Sequence, residues 1–308
     1  MDLSVIIVNW NTRDLLRACL RSLPAAVGDL AAEVLVVDNA SADGSAAMVR
    51  DEFPEHTLID GGANLGFSRG NNLALPRAAG RAVLLLNPDT VCPAGSLARL
   101  YAFARERPNL AVAGPRLVDG EGRPALSWGR FPRARYHWHG CVDPRGVRLA
   151  GMTRAPGPDE PSRRVEYVTG ACFLVPRAAL ERVGPLDERF FMYFEETDWC
   201  LRASRLGLEA WYCAEAEVVH LEGQAAASAG GFGQRQFQKS YRLFIGKHYG
   251  RDRLWRFRLA QFCEYGLKSV WRRLAPGDRA ANRRLAAAHA ARARLQLAAC
   301  IEAVPPGT

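Results

Sequence analysis

LSVIIV, residues 3–8, is the stretch that decides the fold class of this 308-residue chain. It is an almost unbroken run of aliphatic, mostly β-branched side chains, which predicts a strand buried on both faces. Residues 12–23 follow with apolar side chains at helical spacing, namely Leu15, Leu16, Cys19, Leu20 and Leu23. A buried strand followed at once by a helix is typical of a parallel sheet covered by helices.

The same alternation continues along the next hundred residues. Strands are predicted at 33–37 (EVLVV), 57–59, 82–86 (AVLLL) and 110–113, and helices at 69–79 and 93–105. Strands and helices that alternate at this short spacing indicate βαβ units. The sequence therefore predicts an α/β protein with a mostly parallel, Rossmann-like sheet and helices on both faces.

The second half of the chain is less regular. Residues 119–164 are rich in Pro, Gly and Arg and predict a long irregular loop. Strands are predicted at 165–175, 208–213 and 217–219, and helices at 177–182, 195–206 and beyond about residue 234. These patterns predict a domain over 1–232, with halves 1–115 and 165–232 around the 119–164 loop, and a helical region over 233–308.

The positive charge of the chain is concentrated in its last part. The net charge is +9, and residues 247–300 hold 13 Lys and Arg against three Asp and Glu. A basic segment of this kind can meet nucleic acid, anionic lipid or only water. RNP-type aromatic signatures are absent, so we expect no nucleic-acid partner.

The eight cysteines are scattered and form no CxxC pair, which argues against a zinc site or a disulfide framework. The sequence has neither a signal-type N-terminus nor an apolar run of membrane-spanning length. We therefore expect reduced thiols and a cytoplasmic protein. His137-Trp138-His139 has alternate spacing and no nearby carboxylate, which is weak evidence for a metal site. Gly61-Gly62 is followed by no Walker-type lysine, which excludes a P-loop.

Three polar clusters come directly after predicted strands. They are Asn9-Trp10-Asn11, Asp38-Asn39-Ala40-Ser41 and Asn87-Pro88-Asp89. The carboxyl ends of parallel strands share one edge of a sheet, which is where ligands bind in open α/β folds. Turns also favour Asn and Asp, so a single cluster would mean little. Three of them on one edge predict a nucleotide-binding cleft.

A fourth cluster, Glu195-Glu196-Thr197-Asp198, places three carboxylates at the start of a predicted helix. Acidic side chains there suit the helix dipole, which is one explanation. Like charges this close also raise one another's pKa, which suits a general base. Both explanations stay open at this stage.

An ordered set of motifs resembles the inverting glycosyltransferase family 2 with the GT-A fold, and especially its bacterial rhamnosyltransferase-like members. The motifs are SVIIVNWN (4–11), VVDNASADGS (36–45), NLGFSRGNN (64–72), LLLNPDT (84–90), TGACFLVPR (169–177) and LDERFFMYFEETDWCLR (186–202). The resemblance spans roughly residues 3–222. It makes 1–115 the nucleotide-sugar-binding half and 165–232 the acceptor and catalytic half, with a variable loop between them.

This resemblance implies donor contacts at the strand ends. Asp38 matches the family's base-contacting Asp, and Gly66 would let the backbone approach a phosphate. Arg202 is a candidate for reaching a phosphate, or else lies on a solvated helix face. The full set of predicted nucleotide-sugar contacts is Asn9, Asp38, Asn39, Asn64, Gly66, Phe67, Asn71, Asn87 and Arg202.

The resemblance also implies a divalent metal, Mg²⁺ or Mn²⁺. Asp89 stands at the second Asp of the family's D-x-D motif, whereas Asn87 replaces the first and brings no charge. We predict Asp89 as a metal ligand and Asn87 as a contact to ribose or water. His220, with Gly223 in an H-x-x-G motif, is implied as the second ligand. A turn Asp and a structural His are the alternatives.

The general base is predicted to be Glu196, which holds the place of the family's usual Asp and is one methylene longer. Glu195 is the second candidate, and Asp198 is predicted to support the pair. A single carboxylate suffices for an inverting displacement. Trp199 either stacks on a sugar or belongs to the core.

These features predict an inverting transfer from a nucleotide-diphosphate sugar, with dTDP-rhamnose the first choice. The acceptor would be a hydroxyl of a glycan or lipid-linked molecule in cell-wall or other polysaccharide, glycolipid or natural-product synthesis. The alternatives are a sugar-1-phosphate nucleotidyltransferase and a non-catalytic basic binding protein. The former would need a Gly-rich basic phosphate loop, which residues 4–12 lack.

The sequence predicts a partly amphipathic helix over residues 254–270. Trp255, Leu259, Phe262, Cys263, Gly266 and Val270 share one face, and Arg258, Gln261 and Lys268 lie opposite. Such a helix suits the surface of an anionic membrane, here the inner face of the cell membrane. Packing against the catalytic domain or against a second subunit of a homo-oligomer explains the apolar face equally well.

Overall fold

A computed structural model describes residues 1–133, 153–157, 159–221, 232–276 and 278–298. The strands in these ranges are β1 (Leu3–Asn9), β2 (Ala32–Asp38), β3 (Thr57–Asp60), β4 (Ala82–Leu86), β5 (Thr90–Val91), β6 (Leu110–Val118), β7 (Trp128–Gly129), β8 (Thr153–Arg154), β9 (Arg163–Val165), β10 (Tyr167–Val168), β11 (Cys172–Pro176) and β12 (Glu209–His220). The helices are α1 (Arg13–Val27), α2 (Ser45–Glu52), α3 (Gly66–Ala74), α4 (Ser96–Arg105), α5 (Arg177–Val183), α6 (Glu195–Arg205), α7 (Phe232–Tyr249), α8 (Arg251–Leu274) and α9 (Arg279–Ala298). A short 3₁₀ turn, Leu75–Arg77, follows α3.

The main sheet has the order β3-β2-β1-β4-β11-β6-β12-β5, and β9 pairs with β12 beside this path. β3, β2, β1 and β4 run parallel, as the sequence predicts. β11 is antiparallel to both of its neighbours, and β12 is parallel to β6 but antiparallel to β5. The α/β class is confirmed, and beyond β4 the sheet is mixed rather than parallel.

β1 lies in the middle of the parallel half and is buried along its whole length. Leu3, Val5 and Ile7 belong to one apolar cluster, which includes residues of α1 and α4. Ile6 and Val8 belong to the cluster on the other face, which includes residues of α6. Successive side chains of a strand point to opposite faces, so the aliphatic run fills both helix layers.

Several boundaries differ from the sequence prediction. The two strands predicted at 208–213 and 217–219 are one strand, β12, whose pairing with β6 is irregular between Cys213 and Glu217. The helix predicted at 69–79 begins at Gly66 and ends in the 3₁₀ turn that contains Pro76. The loop predicted at 119–164 contains β7, β8 and β9, and its residues 134–152 lie outside the described part.

The chain divides into two compact units. The first contains Met1–Phe131 and Thr153–Tyr241, and the second holds Pro132, Arg133 and the described residues from Arg242 onward. In the second unit α8 packs against α9, where the Ser269 hydroxyl donates to the Ala286 carbonyl over 2.8 Å. The domain limits expected from the sequence stay a prediction. None of the described helices is long and apolar enough to cross a membrane.

Candidate active site

Asp38 lies at the edge of the sheet where β1, β2 and β4 end. Its partner across the parallel pairing is Asn9. The Asn9 amide donates to Asp38 Oδ1 over 3.1 Å, and the Ser41 backbone N–H donates to Asp38 Oδ2 over 2.9 Å. These bonds hold the carboxylate in one orientation at the strand end, where 6% of the residue is exposed.

Asn9 supports the Asp38 carboxylate from inside the fold. The residue has no exposed surface, and its amide also donates to Ser41 and accepts from the Thr12 hydroxyl. A side chain that is fully enclosed and bonded in this way orients Asp38, and its predicted contact with the donor stays a prediction. Thr12 and Ser41, which the sequence analysis assigns no role, complete this small network.

Trp10 is a residue that sequence reasoning missed. It follows β1 directly and is 47% exposed, which is unusual for an indole in a polar turn. Asn11 and Ala40 beside it have left-handed backbone, with φ of 54° and 58°. The available signal was an aromatic side chain inside the polar cluster that follows the first strand.

The turn after β2 is tied to α3 by Asn39. Its amide donates to the Gly66 carbonyl over 3.1 Å, and the residue is only 2% exposed. Among the described residues, Asn39 Oδ1 has no hydrogen-bond partner. The exposed Asn64 accepts from the Gly66 N–H over 3.1 Å and so shapes the start of α3.

Gly66 has a steric role in the packing of α3. Its φ is +75°, and a Cβ at this position would lie 2.3 Å from the Phe191 carbonyl oxygen and 2.7 Å from the Phe191 ring. The Phe67 N–H also donates to that carbonyl over 2.7 Å. The missing side chain therefore admits Phe191, and the predicted approach of this backbone to a phosphate stays a prediction.

Two other predicted donor contacts lie in α3. Asn71 is 1% exposed, and its amide donates to the Phe67 carbonyl one turn earlier, so it supports the helix and is not placed to touch a ligand. Phe67 itself is half-buried and packs against the core. Asn72, which the sequence analysis did not single out, exchanges two hydrogen bonds with the backbone of Leu186.

Asp89 and His220 meet across the pairing of β5 with β12. His220 lies opposite Thr90, and the Leu221 N–H donates to the Asp89 carbonyl over 2.9 Å. This register brings Asp89 Oδ1 to 3.2 Å from His220 Nε2. The side chains are 9% and 11% exposed, and the Asn87 amide nitrogen lies 3.4 Å from the same ring nitrogen.

This pair fits part of a divalent metal site. A carboxylate oxygen and an imidazole nitrogen that point at one another are a usable pair of metal donors. The described residues contain no group of three or more His, Cys, Asp or Glu side chains that could enclose an ion. A diphosphate and water can supply further ligands to an ion here.

α6 begins with the two glutamates that the sequence proposes for proton transfer. Glu195 is 5% exposed, and its Oε2 has no hydrogen-bond partner among the described residues. Burial, with the charges of Glu196 and Asp198, raises the pKa of Glu195 well above its usual range. Burial also raises the pKa of Glu196, which is half-buried and therefore reachable. The structure thus separates an enclosed Glu195 from an accessible Glu196.

The backbone just before α6 is strained. Tyr193 and Phe194 are consecutive non-glycine residues in the left-handed region, with φ of 70° and 71°. Such residues cost of order 1–3 kcal/mol each and persist only when neighbours hold them. The ring of Phe237 in α7 packs against both, at centroid distances of 5.8 and 5.1 Å. The Ser240 hydroxyl donates to the Met192 carbonyl over 2.8 Å.

Arg202 does not reach outward to a phosphate. Its three guanidinium nitrogens donate to Asp198 Oδ2 and to the carbonyls of Val183 and Pro185, over 3.0, 2.6 and 2.7 Å. Asp198 lies in the same helix and has no exposed surface, and the bonds to Val183 and Pro185 fasten α6 to the segment before it. These bonds give Arg202 a structural role, and its predicted contact with the donor stays a prediction.

Trp199 is likewise a core residue. It is 1% exposed, donates to the Gly184 carbonyl over 2.8 Å and packs edge-on against Phe173. It therefore cannot stack on a sugar.

A short series of contacts links the sheet edge to α6. The Asn87 N–H donates to the Ala171 carbonyl over 2.9 Å. The preceding residue, Gly170, lies between α3 and α6. A Cβ built on it would stand 3.8 Å from the Phe67 ring in α3 and 3.9 Å from Glu196 Cβ in α6. The carboxyl end of β4, the start of α3 and the start of α6 therefore surround the same small region. His137-Trp138-His139 and Gly223 lie outside the described residues.

The fold is that of the GT-A glycosyltransferases. The chain superimposes on the crystal structure of GalNAc-T7 with UDP, GalNAc and Mn²⁺, with a TM-score of 0.63 and 15% sequence identity. The match covers 94% of this chain and 55% of that one, so our chain spans little more than half of the GalNAc-T7 chain.

The protein belongs to glycosyl transferase family 2, whose model matches residues 4–184. It is 31% identical over 232 residues to an N-acetylglucosaminyl-diphospho-decaprenol L-rhamnosyltransferase of Mycobacterium tuberculosis, covering 71% of this chain and 75% of the relative. It is also 28% identical over 251 residues to a low-salt glycan biosynthesis hexosyltransferase of Haloferax volcanii, covering 79% and 72%. The chain is therefore a glycosyltransferase that uses nucleotide-sugar donors. Neither the nucleotidyltransferase nor the non-catalytic alternative is compatible with this membership.

Proposed function

We propose that this enzyme transfers a sugar, with inversion, from a nucleoside diphosphate to an acceptor hydroxyl, using Asp89 and His220 at the donor diphosphate and Glu196 as the base. The observation that carries the proposal is the 3.2 Å approach of Asp89 Oδ1 to His220 Nε2 at the sheet edge. The proposal is supported by Gly170, which lies beside Glu196 and directly precedes the Ala171 carbonyl that accepts from the Asn87 N–H.

The donor base would lie against the end of β1 and β2. The carboxylate of Asp38 is already oriented by Asn9 and Ser41 and can accept a hydrogen bond from a pyrimidine ring N–H. The exposed indole of Trp10 offers a flat apolar surface next to it. Asn64, Phe67 and the unpartnered Oδ1 of Asn39 remain donor contacts in this proposal, and Asn87 would contact ribose or water.

Asp89 and His220 would hold a divalent cation, which would offset the negative charge that gathers on the departing diphosphate. A ring nitrogen in the ligand set favours Mn²⁺ over Mg²⁺, because Mg²⁺ prefers oxygen ligands only. The GalNAc-T7 structure, which has the same fold, contains Mn²⁺ together with UDP.

Glu196 would take the proton of the attacking hydroxyl. In a single displacement the acceptor oxygen forms a bond to the anomeric carbon while the bond from that carbon to the phosphate oxygen breaks. The nucleoside diphosphate leaves, and the proton passes to the Glu196 carboxylate. The raised pKa of Glu196 makes it a stronger base than an exposed carboxylate. Glu195 is enclosed and is the less suitable of the two.

Rhamnose from dTDP-rhamnose is our first choice of sugar. The support is the Mycobacterium tuberculosis relative, whose name specifies an L-rhamnosyl transfer to a decaprenol diphosphate-linked sugar. A lipid-linked acceptor would bring the enzyme to the inner face of the cell membrane. The cytoplasmic location, the absence of a nucleic-acid partner and a homo-oligomeric state stay predictions.

Donor hydrolysis in the absence of acceptor tests the proposal. We expect release of nucleoside diphosphate from dTDP-rhamnose in a panel that also includes UDP-GlcNAc, UDP-galactose and GDP-mannose, and only when Mn²⁺ or Mg²⁺ is present. Hydrolysis of a different donor in the panel would mean that the enzyme uses a different sugar in the same type of reaction. Full hydrolysis after EDTA treatment would contradict the metal site.

A further inference from the structure

The second unit of the protein carries an apolar stripe that its own fold leaves uncovered. The stripe runs along α8 at steps of three and four residues, so its members lie on one side of the helix. Its most exposed members are Trp255 (57%), Leu259 (44%), Leu267 (48%), Val270 (56%) and Leu274 (80%). At 1.5 Å per residue the stripe is about 28 Å long.

The opposite side of α8 is the one that packs. Ala260, Gln261 and Glu264 are 0–4% exposed. Farther along, Tyr265 stacks on His289 of α9 and Ser269 donates to the Ala286 carbonyl. Helix α8 therefore buries Phe257 and Ala260 together with several polar side chains, and it also turns leucine, valine and tryptophan side chains outward. An exposed apolar stripe of this length on a helix surface is typical of a binding surface.

The exposed charged side chains of α8 and α9 are nearly all positive. Among the described residues of α8, α9 and the segment between them, Asp278 is the one exposed acidic side chain. The other exposed charged side chains are Arg253, Arg256, Arg273, Arg279, Arg283, Arg284 and Arg294. The guanidinium of Arg256 lies over the Trp255 ring at 5.5 Å. Asp278 caps the first turn of α9 by accepting from the Ala280 N–H. The exposed surface of α8 thus combines apolar side chains with the arginines Arg253, Arg256 and Arg273.

An anionic lipid surface can interact with both the apolar stripe and the arginines. Apolar side chains can enter the acyl boundary while the arginines reach lipid phosphates. A second copy of this chain fits less well, because pairing two stripes would bring Arg256 and Arg273 against like charges. A nucleic acid would match the arginines but would leave the exposed leucines and valine in water.

We infer that α8 lies on the surface of an anionic membrane, with Trp255, Leu259, Leu267, Val270 and Leu274 inserted at the headgroup boundary. The packing of α9 on the opposite side of α8 selects which face meets the lipid. The inference does not depend on the chemistry at the sheet edge, so each can fail without the other.

Flotation with vesicles tests the inference on the full-length protein. Two vesicle compositions are needed, phosphatidylcholine alone and phosphatidylcholine with 30% phosphatidylglycerol (about 7:3, chosen for surface potential). We expect binding to the anionic vesicles that weakens as salt is raised. The combined variant Trp255→Gln, Leu259→Gln, Val270→Gln should lower the partition coefficient at least about 100-fold, since each buried apolar side chain contributes about tenfold or more.

The matched control is Leu126→Gln, Leu206→Gln, Leu285→Gln, which changes three equally exposed leucines away from the stripe, 42–47% exposed. It should bind vesicles like the wild type. Arg256→Gln with Arg273→Gln should weaken binding to anionic vesicles about fivefold for each arginine and leave neutral vesicles unaffected. Donor hydrolysis, measured without lipid, should be the same in all variants and reports that they are folded.

Two results would overturn the inference. The first is equal flotation of the stripe variant and its matched control. The second is a wild type that floats with neither vesicle but elutes as a dimer, while the stripe variant elutes as a monomer. That outcome would make α8 an interface between copies of the chain.

Discussion

Asp89 Oδ1 and His220 Nε2 lie 3.2 Å apart although the two residues come from different halves of the sequence. The contact depends on the antiparallel pairing of the two-residue strand β5 with the end of β12. Asn87 brings its amide to 3.4 Å from the same ring nitrogen. A hydrogen-bonded turn and a strand end therefore present one carboxylate and one imidazole together at the edge of the sheet.

Removing the Asp89 charge should abolish metal-dependent donor binding. We expect Asp89→Asn to lose the Mn²⁺-dependent thermal stabilisation by UDP or dTDP that the wild type shows. Sugar transfer should fall at least about 100-fold, because the charge on the leaving diphosphate is no longer offset. Asp51→Asn, an exposed position on α2, is the control and should behave like the wild type. Unchanged metal dependence in Asp89→Asn would refute the ligand assignment.

Protonation of Glu196 should determine how the rate of sugar transfer falls at acidic pH. A base works only when it is deprotonated, and the pKa of Glu196 is raised above 4.5 by burial. The rate of transfer should therefore decline as the pH falls through a value higher than that of an ordinary carboxyl. Glu196→Gln should reduce kcat by about 100-fold or more, with little change in donor binding.

Glu181→Gln, on the exposed side of α5, is the matched control for this substitution. If Glu196→Gln retains near wild-type kcat while Glu195→Gln loses it, the two glutamates must exchange roles. Circular dichroism of each variant separates a loss of chemistry from a loss of folding.

Glu195 should lower the stability of the protein as the pH rises. Its folded pKa is raised well above 4.5, so its destabilising effect is absent below that ordinary value and grows as the pH climbs toward the folded pKa. Glu195→Gln keeps the shape without the charge. We expect its thermal midpoint to exceed that of the wild type by a margin that widens between about pH 5 and pH 8. A constant or shrinking margin would contradict this account.

Gly66→Ala and Gly62→Ala form a matched pair for backbone geometry. Both glycines have positive φ, +75° and +69°, but a Cβ at Gly62 meets nothing within 4 Å whereas one at Gly66 meets Phe191. Gly62→Ala should cost only the strain of the left-handed backbone, about 1–2 kcal/mol. Gly66→Ala should cost about 2–3 kcal/mol more, because the Phe191 backbone must move. Chemical denaturation measures both, and equal losses would exclude the steric explanation.

Phe237 should act on catalysis by positioning α6. Its ring holds the left-handed residues Tyr193 and Phe194 that precede Glu195. Phe237→Ala should reduce kcat about tenfold with an unchanged donor KM, and Phe237→Tyr should restore most of the rate. Phe257→Ala removes a ring that is 5% exposed in the second unit and should lower stability without this effect on kcat. Equal changes in kcat for both alanine variants would argue for a merely structural role.

The parallel half of the sheet follows from local pattern. The aliphatic runs at β1, β2 and β4 predict strands buried on both faces, and the parallel order of these strands is confirmed. The placement of Asp38 and Asn87 after strand ends follows from the same pattern, because parallel strands end at a common edge. Local pattern could not predict the antiparallel pairings of β11 and β5, which depend on contacts between distant segments.

The sequence by itself determined the fold class and the family, through periodicity and an ordered set of motifs, and it identified Asp89, His220 and Glu196 as the candidates for the chemistry. Only the tertiary structure decided which polar groups stay available. The side chains of Arg202 and Asn9 form hydrogen bonds with partners inside the fold, and Phe191 occupies the space beside Gly66. The physical reason is that periodicity records which residues are buried, whereas hydrogen-bond partners and exposed surface depend on segments that meet only after folding.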